Sequence, residues 1–159
     1  MEPAETRDDR SRMTEQPVAV RACPLAASLD ILGERWTLLA IREMTYGIHR
    51  FGQIAGYTGA SRDILADRLR KLESVGIVER RQYSEHPPRY EYHLTEAGEA
   101  LQPTLLSLFQ WGERWAEASP TVAVRHSCGH DLKIIQTCER CGSQVSRQGI
   151  EFRAAEPRT

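Results

Sequence analysis

The 159-residue sequence contains no apolar run near the roughly 18 residues needed to span a bilayer. Aromatic residues are sparse, at 7%, and only four cysteines occur: Cys23, Cys128, Cys138 and Cys141. Three of them fall in the last quarter, a distribution unlike a disulfide framework. A chain of this length buries roughly 68–70% of its unfolded surface on folding, so it needs no such framework. Charge of one sign is also lacking: the formal net charge is −1, which does not by composition announce a polyanionic partner. There is no G-x-S-x-G, P-loop, dinucleotide fingerprint or H-E-x-x-H. His49, His86 and His93 are scattered, with no nucleophile or carboxylate pair at helical spacing, so the expectation is a protein that is not an enzyme. Met1 to Gln16 is polar and lacks the apolar core of a secretory signal. It reads as a disordered arm, residues 1–20, of a cytoplasmic protein with no membrane partner.

What is present is ordered punctuation. Pro24 opens a helix at N1, Leu25, Leu29 and Leu32 repeat at helical spacing, and Gly33 stops it. A second helix carries Trp36, Leu39, Ala40, Ile41 and Met44 and ends near Gly47. His49 to Phe51 reads as a very short strand, and Gly52 to Tyr57 as a short helix broken by Gly56 and Gly59. The clearest helix follows Ser61, a good N-cap, with Leu65, Leu69 and Leu72 as its buried stripe and Gly76 as its end. Two β-like runs, Val78 to Tyr83 and Arg89 to Leu94, flank a rigid polar tip from Ser84 to Pro88. Thr95 can cap a long final helix that Pro103 bends or restarts. That helix bears two apolar seams, Leu101, Leu105, Leu108, Gly112 and Trp115 beside Leu106, Phe109 and Ala116. Two seams exceed what one small core requires, which points to a partner helix from a second copy.

Helix, short helix, capped helix and hairpin, in that order, make a winged helix-turn-helix. A major groove about 12 Å wide admits one α-helix, whose N-terminal residues reach base edges. Ser61 starts that helix, and small Gly59, Ala60 and Ala66 permit close approach. Arg62 and Arg70 could read guanine edges or hold phosphates, while Arg68 and Lys71 suit phosphates. Arg80, Arg81, Arg89 and Tyr90, on or beside the hairpin, could grip the flanking backbone or minor groove. Positions 61–90 are arginine-rich, whereas Glu91 to Glu117 is acidic, so one face turns toward phosphates and the other away. The bland alternative is an amphipathic helix with ordinary surface charge. A second functional class also fits, namely a winged-helix adaptor for protein–protein contact with the C-terminal ribbon as a further surface.

The wording of the sequence is itself informative. Cys23-Pro24-Leu25 precedes Ile31-Leu32-Gly33-Glu34-Arg35-Trp36-Thr37-Leu38-Leu39. Arg50-Phe51, Leu65-Ala66-Asp67-Arg68-Leu69-Arg70-Lys71-Leu72, Gly76-Ile77-Val78-Glu79-Arg80 and Pro87-Pro88-Arg89-Tyr90-Glu91-Tyr92-His93-Leu94-Thr95 follow. Over roughly residues 22–118 this resembles the HxlR family of bacterial winged-helix regulators. The resemblance implies a homodimer joined through first and last helices on palindromic double-stranded DNA, with Ser61 to Leu72 as recognition helix and Tyr83 to Tyr90 as wing. It further implies a regulator, read here as a repressor, of detoxification or of aldehyde, quinone or aromatic metabolism, with oxidants, electrophiles or a small aromatic effector as signal. Arg62 departs from the proline common at that position in similar sequences, which bears on base preference.

The cysteines divide into two readings. With Pro24 at N1, Cys23 sits at or beside the helix N-cap, where the positive dipole end favours thiolate chemistry. Some HxlR-type proteins sense oxidants through this Cys-Pro cysteine; the alternative is a small packing residue. Cys138-Glu139-Arg140-Cys141-Gly142 has the form of a zinc knuckle, and Cys128 with either His126 or His130 would complete four ligands. Structural zinc is one outcome, and a metal-free ribbon with free or oxidised cysteines the other. Trp36, Phe109, Trp111 and Trp115 could line an effector pocket between the dimer helices or serve as core. The expected fold is therefore α+β and mostly helical: a winged domain over 21–119 with a long C-terminal dimerisation helix, then a zinc-ribbon-like extension over 120–159.

Overall fold

The computed structural model describes residues 23–116 and 119–153. Cys23–Ile134 forms one compact unit, and of a second unit residues 135–153 are described. The expected arm over residues 1–20 lies outside the described residues.

Helix α1 spans Pro24–Leu32, with Pro24 in the first turn and Cys23 as N-cap. The Cys23 Sγ accepts from the Ala26 amide at 3.3 Å, taking up one of the donors a helix start leaves unsatisfied. Helix α2, Arg35–Thr45, turns Thr37, Ala40, Ile41 and Met44 inward at the i, i+3, i+4, i+7 spacing of one buried face. Helix α3, Phe51–Thr58, carries Gly56 within it and ends on Gly59, whose φ of 75° suits a residue without Cβ. Ala60 follows, buried, and Ser61 then caps helix α4, Arg62–Ser74, by accepting from the Ile64 amide at 3.4 Å.

Strands β1, Val78–Glu85, and β2, Pro88–Leu94, pair antiparallel from Val78↔Leu94 to Glu85↔Pro88, with a register shift between Gln82 and Ser84. The strands thus run further into the polar tip than its proline content indicates, leaving His86 and Pro87 as the turn. The short strand expected at His49 to Phe51 reduces to one bridge, Arg50↔Glu91.

The final helix is split. Thr95 caps only the single turn α5, Glu96–Glu99, and the chain restarts as α6, Gln102–Trp115, with Pro103 in its first turn. A Cβ on buried Gly98 would collide with the Ile77 carbonyl oxygen and lie 3.0 Å from Leu94 Cδ2. The α5 turn is thereby pressed onto the base of the hairpin, while Pro103 lacks the amide that a continuous helix would need there.

Ala40, Ile41, Met44, Ile54, Ala60, Leu65, Leu69, Leu72, Ile77 and Val78 form the buried core. Each large member contributes about 1.5–3 kcal/mol of burial. Leu65, Leu69 and Leu72, all within 1% exposure, fix which face of α4 is hidden and so which remains outside. Among the described residues no helix is long and apolar enough to cross a membrane.

Candidate nucleic-acid interface

Successive residues of a helix turn by 100°, so positions four apart form one row. On α4 the row Arg62, Ala66, Arg70 flanks the buried leucines on one side, and Arg68 and Lys71 flank them on the other. Arg62 and Arg70 are exposed and Ala66 is half-buried. The Arg62 guanidinium lies over the Phe51 ring, 5.2 Å from its centroid, and makes no ion pair among the described residues. Arg70 Nη2 pairs with Asp67 Oδ1 at 2.7 Å, with both side chains largely in solvent. The opposite row is engaged within the fold. Arg68 Nη2 stands 3.7 Å from Glu34 Oε1, and its Nε is buried without a hydrogen-bond partner. Lys71 Nζ donates to the Asp30 carbonyl on α1.

Strand parity sorts the hairpin residues in the same way. Arg80 shares a face with Tyr90 and Tyr92; its guanidinium covers the Tyr90 ring at 4.4 Å and its Nε lies 3.9 Å from Glu73 Oε1. Arg81 falls on the other face with Glu79, His93 and Glu91, and its Nε donates to Glu79 Oε1 at 2.7 Å. Arg89 is exposed and makes no ion pair among the described residues.

The hairpin is fastened to the start of α3. The Tyr92 amide donates to the His49 carbonyl at 2.8 Å, and His49 Nδ1 donates to the Tyr92 carbonyl at 3.0 Å. The His49 and His93 rings stack with centroids 4.0 Å apart. Arg50 Nε donates to Glu91 Oε1 at 3.2 Å, and its guanidinium lies 4.9 Å from the Tyr83 ring centroid. The Arg50 hydrogen bond leads the effects that hold the Glu91 carboxyl below its ordinary value; His93 adds to it and desolvation opposes it. Arg50 escaped the sequence reading, as did exposed Tyr57 on α3. The available signal was an arginine ahead of a phenylalanine at a helix start, which shows nothing of its cross-chain partner.

Taken together, a capped helix with an outward row and a hairpin braced beside it have the arrangement of a winged helix-turn-helix. The HxlR-like helix-turn-helix family model matches residues 31–120. The chain belongs to the HxlR family. It is 40% identical over 126 residues to the uncharacterized HTH-type transcriptional regulator Rv3095 of Mycobacterium tuberculosis, covering 77% of this chain and 80% of the relative. The crystal structure of PA1607 superposes with a TM-score of 0.73 at 31% identity, covering 84% of this chain and 96% of that one. The redox regulator HypR in its reduced form gives a TM-score of 0.54 at 35% identity, covering 58% of this chain and 92% of that one. This chain is accordingly an HxlR-type DNA-binding transcriptional regulator with a mixed α/β winged-helix fold.

Away from this surface, Cys23 is exposed at the α1 N-cap. Trp36 packs against the core, whereas Phe109 lines a groove of about 380 Å³ between α2 and α6 with Leu38, Leu39, Tyr46, Leu105 and Leu106. Trp111 and Trp115 are 60% and 63% exposed. All four cysteines are free thiols. Cys128, His126 and His130 occupy a turn in which the Gly129 amide donates to the His126 carbonyl at 2.9 Å. Cys138 and Cys141 occupy another, closed by the Gly142 amide on the Cys138 carbonyl at 2.7 Å. Hydrogen bonds from Ser143, side chain first, and from Cys138 lower the Cys141 thiol below its ordinary value. Two thiols on one glycine-closed turn, one eased toward thiolate, are suited in chemistry to zinc. Among the described residues, however, no three His, Cys, Asp or Glu side chains are grouped as a metal ion would require.

Proposed function

We propose that this HxlR-type regulator represses its target genes as a homodimer, laying α4 of each copy in successive major grooves of a palindromic operator. The carrying observation is the outward row of Arg62, Ala66 and Arg70 on a helix whose other side is locked by Leu65, Leu69 and Leu72. The rigid helix fixes what the row can reach, and the hairpin offers Arg89 and Tyr90 to the flanking backbone. Dimerisation would cover the apolar faces that the monomer leaves in water: Leu25 and Leu29 on α1, and Leu108, Trp111 and Trp115 on α6.

The proposed signal is an oxidant or electrophile acting at Cys23. Exposure of that thiol at the α1 N-cap and similarity to a redox regulator support this reading. Modification there would remove the acceptor for the Ala26 amide and add bulk on the face assigned to the partner copy. The α2–α6 groove would take a small aromatic effector, since its walls are mostly leucine and phenylalanine. Zinc taken up by the Cys138–Cys141 turn would be structural and would order the C-terminal ribbon in the cytoplasm.

The test is selection of genomic fragments by the purified protein at two salt concentrations, followed by footprinting. Enrichment of an inverted repeat whose half-sites lie one helical turn apart is expected. Failure to enrich any fragment at low salt overturns the reading.

A further inference from the structure

Arg50 and Arg62 share an arrangement that Arg80 repeats on Tyr90, and the stacked pairs of Arg50 and Arg62 meet at neighbouring residues of the chain. Each guanidinium is laid on an aromatic ring, Arg50 on Tyr83 and Arg62 on Phe51, while its terminal NH₂ groups donate no hydrogen bond among the described residues. The supports connect across the chain. Tyr83 belongs to β1 of the hairpin, Phe51 immediately follows Arg50 at the start of α3, and Arg62 is the first residue of α4. Wing, α3 and recognition helix are therefore linked by two stacked pairs, Tyr83–Arg50 and Phe51–Arg62, whose middle members are chain neighbours. Glu91 takes only the Nε of Arg50, through one oxygen at 3.2 Å, so the two NH₂ groups of the fork stay open.

A flexible arginine on a bare surface loses much of its rotamer freedom when it grips a phosphate. An arginine already stacked on a ring has lost that freedom before DNA arrives, and its planar fork matches two phosphate oxygens. Arg50 is also fixed at its backbone by the Arg50↔Glu91 bridge and at its Nε by Glu91. We infer that Arg50 and Arg62, held on Tyr83 and Phe51, form a pre-ordered phosphate clamp that grips the DNA backbone between the recognition helix and the wing. The inference rests on α4 as the helix that enters the groove, and it adds Arg50 as a DNA contact of its own.

A clamp on phosphate and a strut that merely props the wing differ in one measurable respect. Each phosphate contact contributes about −0.9 to the slope of log K against log salt on duplex DNA. The experiment compares the full-length wild-type chain with Arg50→Ala, Arg50→Lys, Tyr83→Leu and Arg70→Ala. Binding is read by fluorescence anisotropy from about 50 to 200 mM salt. The probes are the duplex that wild type selects from genomic fragments and a scrambled duplex of equal length. Arg50→Ala should weaken binding roughly tenfold on both duplexes and make the slope shallower by about one per protomer. Arg50→Lys should keep the slope while losing several-fold in affinity, because the charge remains and the stacked fork does not. Tyr83→Leu should lower affinity with the slope intact. Arg50→Ala binding within twofold of wild type overturns the clamp, as does a loss of affinity with unchanged slope, which identifies Arg50 as a strut. Arg70→Ala separates the two layers: if it weakens the selected duplex while Arg50→Ala is silent, only the clamp fails. If both are silent, the reading of α4 fails with it.

Discussion

Arg70 offers the sharpest separation of stability from recognition. Its ion pair with Asp67, at 2.7 Å, joins side chains that are 72% and 62% exposed, one turn apart on α4. Such exposed helical pairs contribute about 0.2–0.5 kcal/mol, so Arg70→Ala should lower Tm by no more than a few degrees. Recognition carries a larger effect. A bidentate arginine–guanine contact is worth about 1–3 kcal/mol, or roughly 5- to 150-fold in affinity, and the loss is confined to one base position. Asp67→Ala removes the same ion pair and should cost a similar few tenths of a kcal/mol in stability. Its effect on DNA has the opposite sign, because the counter-charge that DNA must displace is gone; roughly two- to fivefold tighter binding is expected. Anisotropy on the selected duplex and its single-base variants, beside thermal denaturation of both proteins, gives all four quantities. Arg70→Ala binding within twofold of wild type, or both variants weakening binding equally, would refute the assignment of this row to DNA.

Gly98→Ala should cost about 1–3 kcal/mol, since the new methyl meets the Ile77 carbonyl rather than open space; a Tm unchanged within a degree would show that α5 lifts freely. Cys23→Ser should keep the α1 cap, because a serine hydroxyl accepts from the same amide, yet abolish any release of DNA by diamide or a quinone. A serine variant that releases DNA as wild type does would place the sensor elsewhere. The lowered Glu91 carboxyl has a definite sign: its contribution is complete above the unfolded carboxyl range and is lost as pH falls through the lowered folded value. Glu91→Gln should therefore flatten the acid limb of the stability–pH curve measured by urea unfolding, and an unaltered limb would assign acid sensitivity to other groups.

Helix α4 was legible because every local signal agreed: serine cap, leucines at 65, 69 and 72, and a glycine of φ 74° at Gly76. The long final helix was legible only in part. Thr95 reads as a cap in any context, but that its helix stops after one turn follows from Gly98 packing against Ile77, a contact between distant residues. The sides of the basic residues were in principle readable. Helical spacing already puts Arg68 and Lys71 across the leucine stripe from Arg62 and Arg70, and strand parity separates Arg81 from Arg80. Composition alone hides this, since it counts charges without regard to direction. Arg50 was opaque for a different reason: its partners Tyr83 and Glu91 lie more than thirty residues away, and only the folded hairpin brings them near.

A chain of formal net charge −1 can hold a polyanion because internal pairing spends its basic residues unevenly. Arg42 is paired with Glu43, Arg68 with Glu34 and Arg81 with Glu79, and Lys71 is tied to α1. Arg50 keeps an open fork, and Arg62 and Arg89 make no ion pair among the described residues. If those three meet phosphates in each copy, a dimer neutralises about six, and the slope of log K against log salt should be near −5. A slope near −10 would mean that DNA breaks the internal pairs and draws Arg68, Lys71 and Arg81 outward. In that case the pairs seen in the free protein would not predict its contacts, and the division of α4 into a reading row and a structural row would fail.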